Sequence, residues 1–365
     1  VAPSGTDSQP DIRAGIGSRS FLALVATQCL GAINDNMFRW LTIGISKDYV
    51  DKSEATLVLS AGLGCFVLPY LFFASHAGFL ADRFSKRHVI VACKVAEIVI
   101  MLLGVGMILL CNAVGHIYPL MVVVFLMGTQ SALFGPAKFG SIPELVQVRN
   151  ISKANGVLGL GTVVSTTIGF AAGMYLSDIT GQRGVEQIGI SAAALIGVAV
   201  VGYLVSLAVT TVPAGNPQAK FPWNPFAQTF RDLKALASSR ALFRVALGIA
   251  LFWALGSLAQ MNIDQFGFEG GLLEQTQIVP MLVALVVGVG LGSVLAGVWS
   301  GGKVELGILP LGAFGIAFSS IMLFTVEGQL AAADKTWTAM QVWACVWLFG
   351  LGIGAGLFDV PLNSY

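Results

Sequence analysis

Long apolar runs make up most of the chain, and short polar connections separate them. No run shows the clear polar face that a helix of a soluble protein keeps towards water. Each is about as long as the 20 or so residues needed to cross the hydrocarbon of a bilayer. The pattern predicts ten spanning helices at roughly 20–46, 56–81, 88–112, 117–142, 152–177, 189–212, 241–263, 277–300, 305–327 and 336–362. One run is interrupted: in "CLGAINDNMFRWLTIG" (29–44), Asn34, Asp35, Asn36 and Arg39 sit inside an otherwise apolar helix. The longest polar connection, "VPAGNPQAKFPWNPFAQTFRDLKALASSR" (212–240), opens rich in Pro and Asn and closes basic and amphipathic. It reads as a linker followed by a helix on the membrane surface.

Composition strengthens this reading. Of 365 residues 56% are hydrophobic and only 11% charged, against about 25% charged in an ordinary soluble domain. The chain is therefore an all-α, polytopic membrane protein. Its 44 glycines suit helices that approach closely in lipid. Cys29, Cys65, Cys93, Cys111 and Cys345 all fall in apolar runs with no CxxC spacing, so they read as small core residues. A net charge of +1 argues against a nucleic-acid partner, and no residue pattern calls for a metal or cofactor. The polar N-terminus has no secretory signal and no initiator Met, which suggests a trimmed or processed chain.

Charge placement sets orientation. With the N-terminus in the cytoplasm, 14 of the 20 Lys and Arg fall on the inner side, and only Lys47, Lys52, Arg183 and Lys335 on the outer. That asymmetry predicts a cytoplasmic N-terminus and a cytoplasmic 213–240 linker. An outer loop with Asp264, Glu269 and Glu274 carries no basic residue. The two halves also echo each other. "CLGAINDNM" answers "ALGSLAQMN", with Gly31 matching Gly256, and "GTQSALFGPAKF" loosely answers "GIGAGLFDVPLN". Two parallel bundles joined by such a linker resemble the layout of a major facilitator transporter. The resemblance implies a tail (1–19), a six-helix N-terminal bundle (20–212), a linker (213–240) and a partial C-terminal bundle (241–365). Two pseudo-symmetric bundles imply twelve helices, so the last two are expected to be missing.

"GFLADRFSKR" (78–87) matches the G-x-L-x-D-R-x-x-[KR]-[KR] signature of that superfamily. Gly78 would let a neighbouring helix pass close, and Asp82 would cap a facing helix N-terminus. Arg83, Lys86 and Arg87 would hold the loop at an anionic surface. These five read as a conformational latch. Gly297 to Lys303 fits G-x-x-x-x-G-K, but Val304 stands where a Ser or Thr would bind Mg²⁺ and no strand precedes it. It is expected to be a plain loop, and ATP-driven pumping is not expected. His76 and Asp82 have one residue too many between them for an H-x4-D acyltransferase pair.

Asp35, 14 residues beyond Phe21, lies about 21 Å into the first helix. A bare charge there costs about 2.5–3.5 kcal/mol and usually faces a cavity. Arg39, one turn on, can pair with it. A self-neutralising packing pair and a place in a transport path both fit the residues. Lys94 and Glu97 form a similar one-turn pair, with Lys94 shallow enough to reach towards water. Gln130 lies in the fourth helix. "FGPAKFGSIPEL" should break that helix at Pro136 and Pro143 with Lys138 near its inner end. Gln260 and Asn262 add uncharged polarity in the seventh span, and Asp359 marks the tenth.

"GAINDN", "FGPAKFGSIPELV", "KANGVLGLGTVVSTTIG", "GGKVELGILPLG" and "DVPLNSY" together resemble the bacterial lysophospholipid transporter family over nearly the whole chain. The resemblance implies inward flipping of lysophospholipids, chiefly lysophosphatidylethanolamine, across the bacterial inner membrane. It also implies an acyltransferase and acyl-carrier-protein synthetase, separate or fused, as partners that restore the second chain. The family's helix-1 Asp matches Asp35 and its helix-4 Lys matches Lys138. Where members often have a basic residue in helix 7 this chain has Gln260, which departs from the pattern, and Arg39 is a candidate substitute. The expected substrate-binding set is Asn34, Asp35, Asn36, Arg39, Gln130, Lys138 and Gln260. Glycines such as Gly288/Gly292 and Gly352/Gly356 would form thin, moving walls. Two rival readings are a major facilitator drug or small-solute proton antiporter, and the membrane module of a fused acyltransferase.

Overall fold

A computed structural model describes residues 15–46, 49–50, 55–147, 150–180, 185–270, 275–299, 306–326, 330 and 338–364. The first half contains α1 (Arg19–Ser46), α2 (Ala55–Arg83), α3 (Lys86–Val114), α4 (Tyr118–Leu145), α5 (Ile151–Thr180) and α6 (Ile188–Ser206). Then come α7 (Pro225–Ser238), α8 (Arg240–Glu269), α9 (Val279–Trp299), α10 (Leu309–Leu323) and α11 (Ala339–Ser364). Ten of these correspond to the predicted spans, and α7 falls in the segment where the sequence predicts a helix after the linker. Eight helices among the described residues are long and apolar enough to cross a membrane. The two remaining spans differ for visible reasons. α1 carries the polar insertion, and α10, with 15 residues, reaches only about 22 Å.

Local departures have local causes. α4 runs unbroken through Pro136 and Pro143 to Leu145, where the sequence predicts a break. A proline inside a membrane helix removes one ladder bond, and packed neighbours tolerate the kink. α3 ends cleanly because Gly115 adopts the left-handed conformation (φ 76°) and its N–H reaches Cys111 O at 2.8 Å. α6 stops at Ser206, six residues before the predicted end, and the chain turns at Ala208 and Val209. α7 starts at an Asn224 cap, whose side chain accepts from Ala227 N at 3.0 Å, followed at once by Pro225. Residues 300–305 of the G-x-x-x-x-G-K loop, and the side chains of Asp264, Glu269 and Glu274, lie outside the described residues.

Helix pairing repeats between the halves. α4 packs on α2 and α3, and seven elements later α11 packs on α9 and α10. Glycines set the closest contacts. A Cβ on Gly128 of α4 would stand 2.1 Å from Phe66 O of α2. On Gly352 of α11 it would stand 2.1 Å from Leu285 O, and on Gly288 of α9 it would stand 2.2 Å from Phe349 O. Gly288, Gly292, Gly352 and Gly356 therefore interlock α9 with α11 backbone to backbone. In this conformation they form a tightly packed seam.

Core clusters show where the halves meet. Trp40 of α1 and Phe170 and Met174 of α5 join Ile263 of α8, Met281 and Leu282 of α9, and Ala344 and Leu348 of α11 in one apolar plug. It lies where α1, α5 and α8 end and α9 and α11 begin. At the opposite end the clusters stay apart. One holds Phe21, Leu24, Ile90, Phe134 and Leu158, and the other Ala296, Ile308 and Leu357. Among the described residues the halves thus share an apolar core at one end of the bundle only.

Candidate functional site

The polar insertion of α1 faces two ways, as helix geometry requires of neighbouring residues. Asp35 and Arg39 are half-buried. Asp35 Oδ2 accepts from Ser131 Oγ of α4 at 2.6 Å. The same hydroxyl lies 3.3 Å from Gln130 Oε1, and Tyr70 of α2 lies nearby. Arg39 does not pair with Asp35. Its Nη2 donates to Asn36 Oδ1 at 2.6 Å, and its guanidinium lies 5.6 Å from the centre of the Phe66 ring. Asn36 in turn donates to Ala32 O at 2.8 Å. Lys138, also half-buried, holds its ammonium against the rings of Phe134 and Phe139 at 5.7 and 4.5 Å, within electrostatic reach of Asp35. This side of the cluster therefore presents one carboxylate and two cations that are not ion-paired with one another.

The other side is dry. Asn34 is fully buried and donates from Nδ2 to Glu97 Oε1 of α3 at 3.0 Å. Glu97 Oε2 takes Lys94 Nζ at 2.6 Å, with side-chain exposures of 2% and 0%. Lys94 does not rise towards water as the sequence allows. It is held in a notch where Gly31 offers no side chain, and a Cβ there would be 2.5 Å from Nζ. The pair fixes α1 against α3, with Gln130 of α4 donating to Cys93 O at 3.2 Å beside it.

The signature loop binds the linker and the end of α6 in this conformation. Arg83 Nη1 donates to Ala219 O at 2.7 Å, and Arg87 Nη2 donates to Leu207 O at 3.0 Å. Lys86 pairs with Glu144 at the end of α4. Asp82 is exposed, and its carbonyl accepts from Asn216 N at 2.8 Å. A Cβ at Gly78 would meet nothing within 4 Å, so among the described residues no neighbouring helix packs closely against that face.

A family model described as Major Facilitator Superfamily matches residues 20–365. The chain belongs to the Major Facilitator Superfamily. Its fold is accordingly that of a multi-pass transporter. It is similar to the lysophospholipid transporter LplT of Klebsiella pneumoniae (strain 342), at 27% identity over 95% of this chain and 80% of that one. It is likewise similar to LplT of Serratia proteamaculans (strain 568), at 25% over 95% and 79%. Among solved structures it resembles a bacterial homologue of the human lysosomal transporter Spinster, inward-facing and unoccupied. That likeness has a TM-score of 0.58 and 16% identity, and covers 97% of this chain and 75% of that one.

Of the residues singled out from sequence, Asp35, Asn36, Arg39, Gln130 and Lys138 converge, while Asn34 turns to the buried pair. Gln260 lies on α8, and its side chain is outside the described residues. Sequence reasoning missed Ser131 and Tyr70, which are common in apolar helices and carry no charge to mark them. It noticed Lys94 and Glu97, but periodicity alone does not tell an inward face from a shallow one.

Proposed function

We propose that this major facilitator protein carries lysophospholipids from the outer to the inner leaflet of a bacterial inner membrane by alternating access. A partner acyltransferase and acyl-carrier-protein synthetase, separate or fused, then re-acylate them. The names of its relatives support the substrate class. The observation that carries the reading is the half-buried set of Asp35, Arg39 and Lys138. A lysophosphatidylethanolamine head is zwitterionic, so it needs a carboxylate for its ammonium and cations for its phosphate, all at hydrocarbon depth. Asp35 takes the ammonium, with Ser131 holding the carboxylate in place. Lys138 and Arg39 take the phosphate, and Asn36 and Gln130 orient the group. Gln260 would complete the site from the second bundle, which comprises residues 241–365 against 20–212 of the first. The single acyl chain stays in lipid beside the helices. The N-terminus and the 213–240 linker lie in the cytoplasm in this reading, which the placement of Lys and Arg supports. Gly78, Asp82, Arg83, Lys86 and Arg87 act as the latch that exchanges partners between end states.

The test is inward movement of labelled lysophosphatidylethanolamine in spheroplasts or proteoliposomes, with Asp35→Asn beside the unaltered protein. A loss of about tenfold or more is expected, as for a charge-assisted contact of about 1.5–3 kcal/mol. An unchanged rate removes Asp35 from the path. Transport of soluble drugs that collapses with the proton gradient, without lipid movement, identifies a proton antiporter instead.

A further inference from the structure

We infer that a basin between the α2–α3 loop and the linker binds the phosphate headgroup of an anionic membrane phospholipid, separate from the lipid that is carried. The linker is strapped along α2. Ser75 Oγ lies 3.0 Å from Pro225 O and 2.9 Å from Thr229 Oγ1. Phe72 meets Phe226 and Phe79 meets Phe221 edge to face, with ring centres 5.8 and 5.4 Å apart. Beside the bond from Arg83 to Ala219 O lies an open basin of about 540 Å³. Phe79, Phe221 and Trp223 wall it, and among the described residues Arg83 and Lys220 are the only charged groups lining it. Arg83 spends one N–H on Ala219 O and has more to offer, since a guanidinium carries five donors. Lys220 has no hydrogen-bond or ion-pair partner among the described residues. Among the described residues its lining thus offers two cations and no carboxylate.

The occupant is lipid by the character of the rim. Trp223 is 90% exposed, and Phe226, Phe230 and Leu233 continue an exposed apolar edge along α7, with Lys234 next to it. No residue of α7 is buried. Aromatic rings beside basic groups at the ends of spanning helices suit the headgroup layer of a membrane. There the rings meet acyl carbon, and Lys220 and Arg83 meet phosphate. Such a lipid bridges the signature loop to the linker.

Hydrogen exchange across residues 216–238 of the full chain tests this, in nanodiscs of phosphatidylcholine with and without phosphatidylglycerol. Slower exchange with phosphatidylglycerol is expected. Lys220→Gln should weaken that protection about fivefold, the factor set by one basic residue at an anionic surface, and Lys220→Arg should keep it. Equal exchange in both lipids overturns the proposal, as does protection that survives Lys220→Gln. Soluble glycerol phosphate protecting the segment equally in phosphatidylcholine would assign the basin to free anions, and protection that requires an added protein would assign it to a protein partner. Either result overturns the lipid assignment.

Discussion

Lys94→Met isolates the buried charge pair. The ammonium and the Glu97 carboxylate lie 2.6 Å apart with 0% and 2% side-chain exposure. At an effective dielectric of about 20, two charges some 4 Å apart attract by about 4 kcal/mol. Removing one partner of a buried pair costs about 3–5 kcal/mol, because the remaining charge keeps its desolvation penalty. Lys94→Met leaves Glu97 as that charge, with only Asn34 Nδ2 among the described residues to answer it. Adding Glu97→Gln removes the orphan charge and still offers Asn34 an acceptor. The double variant should therefore recover most of the loss. Reversible unfolding in mixed micelles with SDS, followed by tryptophan emission, measures all three free energies. A Lys94→Met cost below about 1 kcal/mol, the level of an exposed pair, would refute the argument. So would a double variant no more stable than the single one.

Gly352→Ala drives a Cβ to 2.1 Å from Leu285 O and 2.8 Å from Val289 N. Backbone cannot yield as a side-chain tip can, so a loss of about 3 kcal/mol or more is expected in the same unfolding assay. Trp40→Ala empties the centre of the apolar plug, where its ring lies 4.1 Å from that of Phe170. It should cost about 3–5 kcal/mol and speed thiol labelling of a cysteine placed at Met281. Lys138→Gln should raise the lysophospholipid KM by about tenfold while Lys138→Arg restores it, as for a charged hydrogen bond of about 1.5–3 kcal/mol. Equal defects in both variants would mean that packing on Phe134 and Phe139 is what matters there.

Most of the fold was legible because hydrocarbon imposes a crude rule. A span must be long, apolar and helical, and composition alone reveals that. Boundaries failed where the rule has exceptions, as at Pro136 and Pro143, where packing carries the helix through. The site was half legible. Asp35 and Arg39 stand out because a charge in lipid demands an explanation, but their pairing did not follow from their spacing. Asn36, one turn back on α1, takes Arg39, and Ser131 takes Asp35 because of how α1 is rotated against α4. Glycines were visible as a class, but whether Gly352 forms a hinge or a weld depends on the backbone opposite it.

The plug at Trp40, Phe170 and Met281 contains no ion pair to break, so its resistance to parting is set by wetting. Water entering there must cover apolar surface, at about 25 cal/mol for each Å². A sugar or ion passing through would drag that water along. A hydrocarbon tail sliding in from the bilayer replaces one oily contact with another, so this end of the molecule yields most readily to an amphiphile.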